Sequence, residues 1–264
     1  MQCRLCGNSE LKLFYTQGNE GKYRFYRCPE CSLVNLDMSE GLDQEKYGEA
    51  FIEHSDESAK QNRMQKRSWL FIRDLLPAGT KGMILDIGCG NGSLLHMAMK
   101  DGWIASGMEL LPELAEGASR SLGIEVLQCD FQEFEPNPCD RYDLIVMRHV
   151  LEHIPDCNGT IGKCTGMLTP GGSIYLELPN INGISFRMKR LSKRLGIRRH
   201  RYRTGYVPGH CNEFCRSSME YLARSAGLRL VHWSTYSSKS GMDFLYRMIP
   251  TATKARVLLS VRKD

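Results

Sequence analysis

Leu85-Asp86-Ile87-Gly88-Cys89-Gly90-Asn91-Gly92 is the stretch from which the rest of the chain can be read. It ends a short apolar run, Met83 to Ile87, and opens a stretch of helical composition, Ser93 to Lys100. Glycines at 88, 90 and 92 permit a tight strand-to-helix turn whose backbone can approach a ligand more closely than any side chain allows. Nicotinamide and flavin enzymes share this device, but a dinucleotide fingerprint would place its third glycine three residues after the second, where this chain has Ser93. The acid two residues ahead of the first glycine, Asp86, is the second distinguishing feature.

Outward from this turn the chain alternates strands and helices. Upstream, Ala59 to Leu76 has a helical pattern with apolar positions at Met64, Trp69, Ile72 and Leu76, closed by Pro77-Ala78-Gly79. Downstream, strands are expected at Ile104–Met108, Ile124–Leu127, Asp143–Met147, Ser173–Leu178, Leu228–Trp233 and Asp243–Arg247, with a helix at Pro112–Leu122. The pattern predicts an α/β, Rossmann-like, doubly wound seven-stranded sheet with a ligand crevice at the carboxyl ends of its strands. The domain boundaries expected are 81–250 for this unit, with a basic substrate-side insertion at 180–214, and 251–264 for a tail. Residues 37–80 supply a connecting segment and the upstream helix.

Ahead of that segment stand Cys3-x-x-Cys6 and Cys28-x-x-Cys31. A pair two residues apart can grip one metal from a tight turn, so two pairs complete a tetrahedral thiolate site, and zinc is the expected ion. A redox pair would instead open a helix after a strand. Leu11, Leu13 and Phe14, then Tyr23, Phe25 and Tyr26, predict two short strands around 17–21, giving a small zinc ribbon over 1–36. A closed four-cysteine site leaves no ligand position for substrate, so its role is structural or that of a grip on RNA or a partner. The other seven cysteines read as buried thiols, with His210, Cys211 and Cys215 a weaker candidate for a second metal group.

Composition limits the function classes. With 264 residues, 42% hydrophobic and 25% charged, the chain can bury a full core and is neither disordered nor a disulfide-stapled miniature. No apolar run reaches the length of a membrane span, and the first thirty residues hold cysteines and charges, so a cytoplasmic protein is expected. The net charge of +5 resides in one segment: nine Lys/Arg and no acid lie between Arg187 and Arg203. Such a run can meet phosphates of a nucleic acid or nucleotide-linked substrate, meet a membrane surface, or be a solvated helix face. Met188, Leu191 and Leu195 are expected to pack inward from it.

The glycine turn with its preceding acid resembles the first motif of class I S-adenosylmethionine-dependent methyltransferases, and the resemblance extends over residues 45–248. It implies that Asp86 stands near the methionine amino group of the cofactor, with Gly88, Gly90 and Gly92 lining its path. Glu109, followed by Leu110, matches the acid that accepts both ribose hydroxyls, and Asp130-Phe131 matches the pair that meets the adenine. Arg148, ending the next strand, joins the expected cofactor-binding set. Val150-Leu151-Glu152-His153-Ile154-Pro155 is similar to a stretch common in small-molecule members, and Pro170-Gly171-Gly172 to the turn before their fifth strand. Some quinone-ring relatives hold a divalent ion in this region; His149 stands where that pattern has an acid.

The acceptor is sought elsewhere. The sulfonium methyl is already activated, so the protein must align an acceptor lone pair and remove a proton from a hydroxyl or carbon acid. His149, His153 and His210 are the candidate bases, because imidazole titrates near neutrality. Pro179-Asn180-Ile181-Asn182, with Ser185-Phe186-Arg187, resembles zinc-ribbon-headed methyltransferases of surface-polysaccharide and glycan biosynthesis. Gly209-His210-Cys211-Asn212-Glu213-Phe214 continues that likeness, with Glu213 where those relatives have a second histidine. The resemblance implies methylation, on oxygen or carbon, of a sugar or nucleotide-sugar. RNA methylation using the ribbon and basic run is the alternative. A cofactor-binding regulator without turnover is the third.

Overall fold

The computed structural model describes residues 1–42, 58–195, 208–236 and 252–261. The expected strand at Asp243–Arg247, most of the connecting segment and the second half of the basic run lie outside the described residues.

The ribbon begins with β1 (Lys12–Gln17) and β2 (Tyr23–Arg27), paired antiparallel, and continues with β3 (Val34–Leu36). Helix α1 (Ser58–Leu75) buries Trp69 and Ile72 against the main sheet, each contributing roughly 2 kcal/mol of apolar burial. The Trp69 indole donates to Asp101 Oδ2 at 2.8 Å, which fixes the helix in rotation. The alternating unit follows: β4 (Met83–Ile87), α2 (Ser93–Lys100), β5 (Ile104–Glu109), α3 (Pro112–Leu122), β6 (Val126–Gln128), β7 (Tyr142–Arg148), α4 (Cys157–Gly166) and β8 (Leu168–Pro179). Helix α5 (Ile184–Arg194), the short β9 (Asn212–Glu213), α6 (Arg216–Ser225), β10 (Leu228–Tyr236) and β11 (Lys254–Val261) complete it.

The large sheet has seven strands in the order β10-β11-β8-β7-β4-β5-β6, parallel except at β11. Its central strands are nearly continuous apolar runs because helices cover both faces. The chain moves outward from β4 to β6, then returns to place β7 on the other side of β4. The order in which strands are added therefore reverses between β4 and β7, and the crevice opens there.

Four expectations need correction. Cys139, expected as a buried thiol, is exposed, and Cys129, expected likewise, is half-buried. Residues 254–261, expected as a tail, form β11 in the sheet interior between β10 and β8, with Ala255, Val257 and Leu259 buried. The apolar pattern of this strand is interrupted by Arg256 and Ser260 and broken by the adjacent pair Leu258-Leu259, so it carries little weight alone. Met188, Leu191 and Leu195 face solvent, and Phe186 packs inward from α5. The ribbon is also not closed within 1–36: its fourth strand, β9, comes from beside His210 and pairs with β3.

Candidate active site

The strands β4, β5 and β6 present one edge of the crevice. Asp86 is buried near the end of β4, and its Oδ1 has no hydrogen-bond partner among the described residues. Burial raises its pKa to about 7, against the pull of Arg148. A carboxylate in that condition suits a ligand cation. Glu109 ends β5: its Oε2 accepts from the Gly90 amide at 2.8 Å, and its Oε1 from the Leu110 and Leu111 amides at 2.9 and 3.1 Å. Three of roughly four acceptor positions are thus engaged, so a bound diol must exchange with at least one backbone amide.

Gly88 and Gly92 both lie in the left-handed region, at φ 72°. A Cβ on Gly88 would stand 2.5 Å from Val150 Cγ2, and one on Gly92 2.7 Å from Leu122 Cδ1. Gly90, at φ 57°, faces open space. Asp130 follows β6 and accepts from the Gln132 amide at 2.8 Å, while Phe131 is buried beside it. Lys163 donates to the carbonyls of Phe131, Gln132 and Phe134, which pins this turn. A buried acid with an unengaged oxygen, a glycine cradle and two further acids along one sheet edge suit a ligand that carries a cation and hydroxyl or amino groups.

Arg148 is placed differently from the other expected cofactor residues. Its Nε donates to Glu177 Oε2 at 2.9 Å, and Nη1 to Gln65 of α1. Glu177 also accepts from Ser68 Oγ at 2.9 Å, Tyr175 OH at 2.8 Å and Arg256 Nε at 3.1 Å. Burial opposes the charge of Glu177, but Arg148 and Arg256 outweigh it and hold the carboxyl far below its ordinary range. Glu177 has one sequence signal, an acid inside the apolar run Ile174–Leu178; Ser68 and Arg256 have none.

The opposite edge begins where β7 ends. His149 adopts φ 58°, and its amide donates to the Glu177 carbonyl at 2.8 Å. Its Nδ1 contacts Glu152 Oε1 at 3.2 Å and its Nε2 contacts Lys254 Nζ at 3.3 Å, so both ring nitrogens are engaged. Lys254 is a site residue that the sequence does not announce, because it starts the unexpected strand β11; burial lowers its pKa. Glu152 is buried in the short turn Leu151–His153, and its Oε2 has no hydrogen-bond partner among the described residues.

His153 and His210 converge on that carboxylate, their rings 4.8 Å apart and edge-on. His153 Nδ1 lies 2.8 Å from the Gly209 carbonyl, and His210 Nδ1 3.3 Å from Glu213 Oε1. Both partners can only accept, so each neutral ring carries its proton on Nδ1 and its lone pair on Nε2. Burial lowers the His153 pKa. Burial works in the same sense on His210, but the hydrogen bond and charge of Glu213 exceed it and the net shift is upward. Glu152, buried too, is held ionised by the three histidines. Glu152, His153 and His210 each offer one ligand atom within 4.8 Å of the others, so they form a group able to hold a metal. Cys211 and Cys215 are not part of it: their thiols turn to the Glu152 and Ser32 carbonyls.

The ribbon reaches this edge directly. Arg4 donates to Asn212 Oδ1 at 2.9 Å, to the Leu36 carbonyl at 3.0 Å and to the Cys211 carbonyl. Asn212 Nδ2 in turn donates to the Ile154 carbonyl at 2.7 Å, and the Cys211 amide to the Glu152 carbonyl at 3.0 Å. The sulfurs of Cys3, Cys6, Cys28 and Cys31 all lie within 4.8 Å of one another, with Cys3–Cys31 and Cys6–Cys28 at 3.4 Å. Tetrahedral bonds of about 2.3 Å would set such sulfurs about 3.8 Å apart.

Residues 58–233 match the sequence profile of a methyltransferase-domain family. A stretch of 103 residues, 38% of the chain, is 30% identical to the ubiquinone biosynthesis O-methyltransferase of Coxiella burnetii and covers 44% of that protein. The chain thus spans under half the length of the curated relatives it matches. Among solved structures, an S-adenosylmethionine-dependent methyltransferase from Mesorhizobium loti aligns with a TM-score of 0.54 at 18% identity, over 73% of this chain and 96% of that one. The magnesium protoporphyrin IX methyltransferase of Synechocystis, with S-adenosylhomocysteine bound, gives 0.53 at 12% identity, over 77% and 84%. At such identities the likeness is one of fold.

Proposed function

This chain belongs to the methyltransferase-domain family, and we propose that it is an S-adenosylmethionine-dependent enzyme that methylates a hydroxyl of a small molecule, with sugars and nucleotide-linked sugars as the acceptor class. The observation that carries the hydroxyl assignment is the convergence of His153 and His210 on the Glu152 carboxylate in the turn after β7. Bound S-adenosylmethionine supplies an activated methyl group. Asp86, Glu109 and Asp130 hold its amino, ribose and adenine parts. One imidazole of the histidine pair accepts the acceptor's proton, and the Glu152 carboxylate stabilises the imidazolium that results. His149, held between Glu152 and Lys254, orients the carboxylate. The resemblance of residues 179–187 and 209–214 to glycan methyltransferases supports the sugar class. We assign a structural zinc ion to Cys3, Cys6, Cys28 and Cys31.

The test incubates zinc-loaded protein and S-adenosylmethionine with a panel of nucleotide-sugars, catechols and total RNA, and reads methylated product by mass. Turnover on a nucleotide-sugar is expected; turnover on RNA alone would overturn the acceptor class. The pH profile then separates the bases. A midpoint of the acid limb below the ordinary imidazole value of about 6.5 identifies His153, and one above it His210.

A second reading has its own observation, the Glu152 Oε2 that lacks a partner among the described residues, grouped with one ligand atom each of His153 and His210 within 4.8 Å: a divalent ion held by these three groups. Activity lost to a chelator and restored by added divalent metal, with ribbon zinc retained, would select it over proton transfer.

A further inference from the structure

Helix α5 turns an apolar stripe to solvent. Its protein-facing side is set by Phe186, which lies parallel to Phe14 at 6.3 Å and meets Tyr15 edge-on at 4.9 Å, and by Arg190, whose guanidinium sits 4.1 Å above Phe14. At 100° per residue, Ile184, Met188, Leu191 and Leu195 fall within an arc of about 60° centred opposite Phe186. Leu195 continues the helix through its amide bond to the Leu191 carbonyl. Their exposures are 38%, 65%, 56% and 61%, so the stripe is uncovered by the described residues along three turns. Isolated exposed leucines are ordinary, but four aligned large apolar side chains are not.

The same segment is cationic. Arg187 and Arg190 are exposed, Lys189, Lys193 and Arg194 share the helix, and no acid occurs from 187 to 203. RNA would engage the cations yet leave the stripe wet. A second copy of the chain would cover the stripe but bring two cationic flanks together. An anionic bilayer uses both features at once, with apolar side chains at the acyl boundary and cations among the phosphates. We propose that α5 docks this protein, lying flat, on an anionic phospholipid surface. No helix among the described residues is long and apolar enough to cross a membrane, so the contact is peripheral and salt-sensitive. Since α5 follows the carboxyl end of β8, the contact sits at the sheet edge that carries the acceptor-side histidines. The docking itself does not depend on which acceptor is methylated.

The test is flotation of the full-length, zinc-loaded protein with vesicles of phosphatidylcholine alone and with roughly a third phosphatidylglycerol, at low and high salt. Binding at least about tenfold stronger to the anionic vesicles, and weakened by salt, is expected. The triple variant Met188→Ser, Leu191→Ser, Leu195→Ser should lose about tenfold or more while binding S-adenosylhomocysteine as before. A Leu191→Trp variant should show blue-shifted emission on vesicles and quenching by brominated acyl chains. Equal partition of the parent and the triple variant would overturn the proposal, as would emission from the introduced indole that vesicles leave unchanged. Binding to RNA but not vesicles, or a dimer dispersed by the serine substitutions, would overturn it in favour of those partners. If the triple variant fails to fold, the tryptophan probe decides alone.

Discussion

Two buried glutamates stand at the carboxyl ends of neighbouring segments and have opposite hydrogen-bond circumstances. Glu177, near the end of β8, accepts from Ser68, Tyr175, Arg148 and Arg256 and joins α1, β7, β8 and β11. Glu152, in the turn after β7, has one oxygen on His149 and the other without a partner among the described residues, amid three histidines. Burial penalises both charges, and both are held ionised by neighbours. A fully satisfied buried carboxylate acts as a structural tie, because every lone pair is committed. A partly satisfied one beside basic imidazoles is kept at a cost in stability and is where a ligand, proton or ion is handled.

The largest effect should come from breaking the satisfied partner. Glu177→Ala leaves Arg148 and Arg256 without their buried counter-charge, and such losses run to about 3–5 kcal/mol. Chemical denaturation should show a loss of that size, with cofactor binding falling only as the folded fraction falls. Because the Glu177 carboxyl holds its proton less tightly folded than unfolded, its stabilisation is present above the unfolded value of about 4.3 and disappears as pH falls below it. The acid destabilisation of the parent should therefore be shallower in Glu177→Gln. Equal acid sensitivity in the two proteins would mean the ion pairs are not the tie described.

Glu152→Gln should behave in the reverse way. The fold has little invested in an oxygen that makes no bond to the described residues, so stability should change by no more than about 1 kcal/mol. Turnover should fall by about a hundredfold or more, the range of a general-base contribution, with S-adenosylhomocysteine affinity unchanged. A variant that unfolds like Glu177→Ala, or that turns over normally, would erase the distinction between the two glutamates.

Glu109→Ala sharpens the cofactor side. It removes three bonds that the carboxylate accepts from backbone amides as well as the proposed ribose partner, so cofactor affinity should fall by about tenfold or more in a titration. Unchanged affinity would withdraw Glu109 from the site.

The grouping of the proposed cofactor residues along one sheet edge was legible in the sequence because they are local. Asp86, Gly88, Gly90 and Gly92 lie in one strand-to-helix turn, Glu109 ends the next strand and Asp130 follows the one after, so order along the chain equals order along the sheet edge. The acceptor edge was legible only in part. His149, Glu152 and His153 share a turn, but His210 arrives from a segment 57 residues farther on and Lys254 from a strand that inserts between β8 and β10. The Glu177 tie draws on four elements, and an antiparallel insertion leaves no periodicity that would announce its partners. Likewise the spacing of Met188, Leu191 and Leu195 marks an apolar face on α5 without saying which way that face looks.

The ribbon falls between these cases, and the smallest predicted effect tests its role. Its cysteines are local and were legible; its destination was not. β3 takes β9 as its neighbour, and Arg4 grips the Asn212 side chain and the Cys211 carbonyl immediately beside His210. Asn212 passes that restraint to the Ile154 carbonyl, one residue after His153. The ribbon thus clamps the two segments that carry the histidine pair, away from the glycine cradle and Glu109. Arg4→Met should cost about 1–2 kcal/mol, the worth of a few partly buried hydrogen bonds to a charged donor. It should lower turnover severalfold through misplacement of His210, since small displacements of catalytic groups are felt strongly. S-adenosylhomocysteine affinity should stay as it was. A parallel fall in cofactor affinity would show the ribbon bracing the whole sheet and not the acceptor edge, and unchanged turnover would leave the clamp without a catalytic consequence.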